Sequence, residues 1–152
     1  MPCETPGGSV RAVLDTNIVV SGLLWRAAPR HVLDAARDRR VTLHTSSVLL
    51  DELAEVLSRS HLAAVLTANR VSPAFLMQRY AMLAHLVIPA QTARVVEKDI
   101  DDDAVIACAP AARADFIVSG DAHLLNLKNF HRMPIINATE ALARIRKTIP
   151  GN

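Results

Sequence analysis

Aromatic residues are scarce. Trp25, Phe75, Tyr80, Phe116 and Phe130 make up 3% of the 152-residue chain. They are too scattered to build the stacking surface on which RNA-recognition and OB-type modules hold bases, so those modules are excluded. Cysteine is nearly absent: Cys3 and Cys108 form no metal-spaced pair and no disulfide framework, which fits a reducing compartment. No apolar run approaches the ~18 residues a membrane helix needs, and the opening MPCETPGGSV lacks the basic and apolar regions of a signal peptide. The expectation is a soluble, cytoplasmic protein with no membrane partner. GxGxxG, Walker-A and HExxH patterns are missing, so dinucleotide, P-loop and zinc-protease readings have no support. No internal repeat or low-complexity linker interrupts the chain.

What is present is a core-forming composition, 51% hydrophobic and 21% charged, at a length that suits one domain. The expected organisation is a flexible N-terminal tail over 1–9, a single domain over 10–147 and a C-terminal tail over 148–152. Seventeen basic and fifteen acidic side chains give a net charge of +2. The halves are balanced, with 8 basic and 7 acidic residues in 1–76 and 9 and 8 in 77–152. All the basic residues except Lys98, Lys128 and Lys147 are arginines, which suits phosphate contacts, although an Arg-favouring genome explains the bias equally well.

Three β-branched runs, Val10 to Leu14, Phe116 to Val118 and Pro134 to Ile136, are each followed by polar punctuation and a helical pattern. Val41 to His44 and Arg94 to Glu97 are weaker strand candidates. The alternation predicts an α/β fold, with helices flanking a mainly parallel sheet of four to five strands. Residues 46 to 88 read as two or three consecutive helices, broken at Ser72-Pro73 and closed at Pro89. The last helix opens at Asn137, with Glu140 placed to reach back to it, and stops at Pro150-Gly151.

Ligands of an open parallel sheet bind beyond the carboxyl ends of its strands. Asp15 follows the run VRAVL and Asp121 follows FIVSG, so both project from strand ends toward one shared site. Either alone could be a helix cap; two together weaken that explanation. On the helix after Ser46, Leu49, Leu50, Leu53, Val56 and Leu57 share one stripe while Asp51 and Glu55 point away. Glu52 falls beside the stripe, about 40° from Val56, where it either leans over the sheet end or flanks it in solvent. Asp99 and Asp101 are explained by the favourable field at a helix start, whereas Asp102 and Asp103 remain open by this argument. Pro110, seven residues into the helix expected from Ala104, implies a bend or break. If Asp15, Glu52, Asp103 and Asp121 converge, each pair at ~5 Å repels by about 3 kcal/mol at an effective dielectric of 20, an upper bound near 20 kcal/mol for six pairs. Such a cluster takes up protons, spreads or binds cations, and all-oxygen ligands suit Mg²⁺ or Mn²⁺. A metal so held activates water and neutralises a phosphodiester, which makes nucleic acid the natural substrate.

The stretch VRAVLDTNIVVSGLLW resembles the opening of PIN-domain ribonucleases, where a strand ends in Asp-Thr-Asn. LDELAEVL resembles that family's acid-bearing helix, and DDDAVIACA followed by ADFIVSGDAHLL resembles its closing motifs. The resemblance spans about Arg11 to Ile145 and is nearest to VapC-like toxins of toxin-antitoxin pairs. It implies a three-layer PIN-like fold in which Asp15, Glu52, Asp103 and Asp121 form the catalytic, metal-binding set. Asn17 and Ser119 match the family's polar supporting residues, with Asp102 beside them, and the interval of 18 favours Asp103 over Asp102. It further implies a Mg²⁺- or Mn²⁺-dependent endoribonuclease acting on RNA, a homodimer, and a small antitoxin partner that covers the acidic cleft. Pro110 departs from the small or aliphatic residue expected in that helix.

Other readings fare worse. Dehalogenase-type phosphatases resemble DxDxT, whereas this chain reads Asp15-Thr-Asn17; a receiver domain needs an acidic pair and a strand-end Lys that are not here. The histidines His31, His44, His61, His85, His123 and His131 show no ligand spacing, and only His123 sits near a candidate acid. Arg26, Arg30, Arg37, Arg39 and Arg40 are candidate RNA-phosphate contacts around the first helix. The alternative function is a catalytically weak PIN-like module that binds RNA or antitoxin.

Overall fold

The computed structural model describes residues 10–89, 100–130 and 132–147, with residues 100–103 described by backbone alone. The expected tails, the strand candidate Arg94 to Glu97, Cys3, Asp99, His131 and the stop at Pro150-Gly151 lie outside the described residues. The chain alternates β1 (Val10–Leu14), α1 (Thr16–Leu24), α2 (Ala28–Arg37), β2 (Val41–Thr45), α3 (Ser47–Leu57), α4 (Ser60–Ala68), α5 (Pro73–Leu83), β3 (Ala84–Leu86), α6 (Ile100–Ala112), β4 (Phe116–Val118), α7 (Ala122–Leu127), β5 (Asn129–Phe130), β6 (Met133–Ile136) and α8 (Ala138–Lys147). The strands line up as β3-β2-β1-β4-β6-β5, all parallel except β5.

The period of two along each strand sorts its side chains between two helical layers. Val10, Ala12, Leu14, Leu43, Phe116, Val118 and Ile136 face one core with residues of α1, α2, α3, α5 and α8. Val13, Ile117 and Ile135 face the other, against Val105, Ile106 and Ala109 of α6 and Leu124 of α7. The three-layer α/β expectation therefore holds. The strand count is corrected from four to five to six among the described residues, because β3 and β5 are edge strands of three and two residues whose pairing is purely tertiary. The block 46–88 holds three helices, and the break between α3 and α4 at Ser58 and Arg59 carries no proline or glycine to announce it.

Pro110 does not break α6, which runs on to Ala112. The proline sits in the last turn, exposed, where its carbonyl accepts from the Arg113 N–H at 3.0 Å. Asn137 caps α8 as expected, its Oδ1 accepting from the Glu140 N–H at 2.9 Å, but the Glu140 carboxylate turns to Arg144 at 3.1 Å rather than back to the cap. At Gly22 the α1–α2 crossing is close enough that an added Cβ would stand 2.8 Å from Leu33 Cδ1.

Three helices end in the same device. After α2, α4 and α6 the paired terminal bonds of a Schellman motif form, Arg39 to Ala36 with Arg40 to Ala35, Arg70 to Thr67 with Val71 to Leu66, and Arg113 to Pro110 with Ala114 to Ala109. The left-handed residue is an arginine each time, with φ of 66°, 57° and 53°. Glycine fits this conformation without the ~1–2 kcal/mol strain of an L side chain, and part of that gain is offset by its extra unfolded-state entropy. Arg70→Gly should therefore stabilise the protein by about 0.5–1 kcal/mol, read as an upward shift of the urea midpoint with unchanged m; a downward shift would show that the arginine side chain itself holds the corner.

Candidate metal centre

β1 leads outward through β2 to β3, and the chain then returns to lay β4 against the other side of β1. The reversal opens a crevice at the carboxyl ends of β1 and β4, where Asp15 and the segment Ser119 to Asp121 emerge. Backbone bonds fix both segments: the Asp15 N–H donates to Val118 O and the Ser119 N–H to Ile136 O, each at 2.9 Å.

Ser119, fully buried, joins the two acids. Its hydroxyl donates to Asp15 Oδ2 at 2.7 Å and accepts from the Asp121 N–H at 2.9 Å. Asp15 is only 7% exposed. Burial raises its carboxyl above the usual value of 3.8, and the nearby Asp121 charge adds to that; the Ser119 hydroxyl and the amides of Asn17 and Thr16 pull the other way. Those amides act on Asp15 from the start of α1 without a full capping bond to its side chain. Asp121 does cap: its Oδ1 accepts from the His123 N–H at 2.7 Å. The capping explanation is thus true of Asp121 and compatible with a place in the crevice.

Glu52 arrives from α3. Thr16 donates its Oγ1–H to Glu52 Oε1 at 2.8 Å, which ties the carboxylate to the residue that follows Asp15. Asp51 and Glu55 are exposed, as the helical wheel requires. Thr16 was not among the expected site residues; its position between Asp15 and Asn17 was the available signal. Asn17 is exposed, and its contribution near Asp15 is its backbone N–H. Asp102 and Asp103 occupy the first turn of α6 by backbone, and their side chains lie outside the described residues. His123 is exposed and enters only through its backbone N–H.

The five candidate arginines do not gather here. Arg30 donates to the carbonyls of Gly22 and Leu23 and so closes the end of α1. Arg37 pairs with Asp34 and Asp38, both at 3.6 Å. Arg39 and Arg40 directly precede β2, whose first residue pairs with Val10, so they stand at the opposite edge of the sheet from Asp15. Arg26 is exposed in the α1–α2 connection. The crossover through α2 carries the chain away from the crevice, so contact of these arginines with RNA phosphates is a proposal separate from the acidic site.

Among the described residues neither Asp15 nor Asp121 has a cationic partner, and no three His, Cys, Asp or Glu side chains already gather into a metal cage. The donors at the crevice are all oxygen, and a buried carboxylate repelled by a second, half-buried one fits a hard divalent cation. Fold and site together define an α/β domain with an acidic crevice at a sheet switch point. Residues 11–123 match the PIN domain, and the chain belongs to that family, whose members are generally nucleases. No curated protein matches the chain.

Proposed function

We propose that the chain is a metal-dependent endoribonuclease that hydrolyses RNA phosphodiester bonds as the toxin of a toxin-antitoxin pair. The observation that carries the reading is the Ser119 hydroxyl holding Asp15 and ordering Asp121 in one crevice. Asp15, Glu52, Asp103 and Asp121 would hold Mg²⁺ or Mn²⁺, with Asn17 and Asp102 alongside. When bound, the ion supplies charge neutralisation at the phosphodiester and a water of lowered pKa. Ser119 orients Asp15, and Thr16 orients Glu52 so that its carboxylate stays near the end of β1. A homodimer is supported by exposed apolar side chains at Phe75 and Met82 of α5, Leu86 of β3 and Ile88 beyond it. A small antitoxin with a basic side chain would satisfy the same carboxylates. Among the described residues no helix is long and apolar enough to cross a membrane.

The test is cleavage of an end-labelled structured RNA with Mg²⁺, Mn²⁺ or EDTA. Cutting that requires the ion supports the enzyme. Mn²⁺ and RNA binding without cutting would favour the second reading, a binding module.

A further inference from the structure

We propose that the amino edge of the sheet is a second phosphate-binding surface that grips the RNA backbone away from the acidic crevice; the choice of RNA rests on the nuclease reading above. Parallel strands bring their preceding turns to one edge. Arg39 and Arg40 stand before β2, Arg113 before β4 and Arg132 before β6, all exposed. The strands run β2-β1-β4-β6 in the sheet, so at ~4.8 Å per strand these arginines form a row about 14 Å long. Arg146 of α8 extends the row, facing Arg40 across a groove of about 330 Å³ between α2 and α8. The carboxylates nearby are Asp34 and Asp38, paired with Arg37, and Asp115, which accepts from the Arg11 N–H. Among the described residues Arg39, Arg40, Arg113, Arg132 and Arg146 have no carboxylate partner.

Backbone conformation supplies an independent argument. Every described non-glycine residue with positive φ is basic: Arg39, Arg70, Arg113, Lys128 and Arg132. Three of these belong to the row. A cation at a helix C-terminus gains from the helix dipole, which could explain Arg39 and Arg113. That explanation fails for Arg132, which sits in the β5–β6 turn at a φ of 70°. A positive charge is held there where glycine or asparagine would fit the backbone better. The crevice lies one strand length away, about 17 Å for the five residues of β1. Helices cover both faces of the sheet, so an RNA anchored on the row must run round them and span more than roughly five nucleotides, at ~3.4 Å each, to reach the acids.

The experiment measures anisotropy of a labelled structured RNA with full-length Asp15→Asn as the non-cutting parent, against the same protein carrying Arg39→Gly, Arg113→Gly and Arg132→Gly. Glycine suits all three backbones, so the melting temperature should hold or rise while RNA binding weakens. A structural role for the arginines would not give that combination. Loss of three single-strand phosphate contacts at ~0.7 each should reduce the slope of log K against log salt by about two and weaken binding roughly tenfold or more at ~0.1 M salt. Arg40→Gln with Arg146→Gln, which leaves those turns unchanged, should weaken binding further. A folded variant with unchanged slope and affinity, or a parent that does not bind RNA, overturns the proposal. So does polyglutamate competing as well as RNA, which would assign the row to an acidic protein. Cleavage measured in parallel keeps the two readings apart, because binding judges the row whether or not the protein cuts.

Discussion

Replacing Asp15 by asparagine is expected to reduce RNA cleavage at least ~100-fold, beyond the usual 10–100-fold effect of losing an outer-shell partner of a metal, while raising the melting temperature by about 2–5 °C. The two effects share one cause. Asp15 carries its charge at 7% exposure beside Asp121, with Ser119 as its one side-chain hydrogen-bond donor among the described residues. Asparagine keeps an oxygen for that hydroxyl and removes the buried charge, relieving a cost that the Ser119 hydroxyl and the Asn17 and Thr16 amides offset only in part and that a bound cation would offset further. Saturating Mn²⁺ should therefore raise the melting temperature of the native protein and leave Asp15→Asn unmoved. If the variant melts lower and neither protein responds to Mn²⁺, Asp15 is a structural residue and the metal assignment fails.

A second large effect is expected on acidification. His44 in β2 is 5% exposed, and neither ring nitrogen has a hydrogen-bond partner among the described residues. Burial, reinforced by Arg11 and by His85 at a ring separation of 5.6 Å, lowers its pKa from 6.5 to about 4. The folded state favours the neutral ring, so His44's contribution is complete above pH 6.5 and is lost as pH falls toward 4. A shift of this size corresponds to about 3 kcal/mol at ~1.4 kcal/mol per unit, a large part of a small domain's stability. His44→Val removes the titration and the two unsatisfied nitrogens while keeping a strand-forming side chain. Urea midpoints at pH 7 and pH 4.5 should converge in the variant and diverge in the native protein. Equal pH dependence in both would place the acid sensitivity elsewhere.

Much of this architecture was legible because burial on both faces leaves a continuous apolar signature, as in VRAVL and FIV, and because strand ends place Asp15 and Asp121 by topology alone, whereas Ser119 came from the resemblance. β3 and β5 were not legible, since two or three residues carry too little pattern and their pairing depends on neighbours distant in sequence. The α3–α4 break was hidden for want of a proline or glycine. Thr16 escaped notice because a short hydroxyl beside two polar residues looks like part of a cap. Arg39 and Arg40 were picked out in the sequence, but their alignment with Arg113 and Arg132 was not legible, because the chain's halves are balanced in charge and only the return of the turns to one edge sets these arginines side by side. The resemblance to the PIN family drew attention to Asp103, whose side chain lies outside the described residues.

The hydrogen bond between Ser119 and Asp15 closes a loop of 104 residues, and Ser119 is itself pinned by Ile136. During synthesis at roughly 5–20 residues per second, Asp15 leaves the ribosome about 5 to 20 s before Ser119, and β6 follows later still. A nascent chain therefore carries Asp15 with no shared crevice until Ser119, Asp121 and β6 have been translated. The order of connection that creates the site also delays it, so a ribosome-bound fragment would, on the proposed ribonuclease reading, lack its acidic site while it is surrounded by RNA.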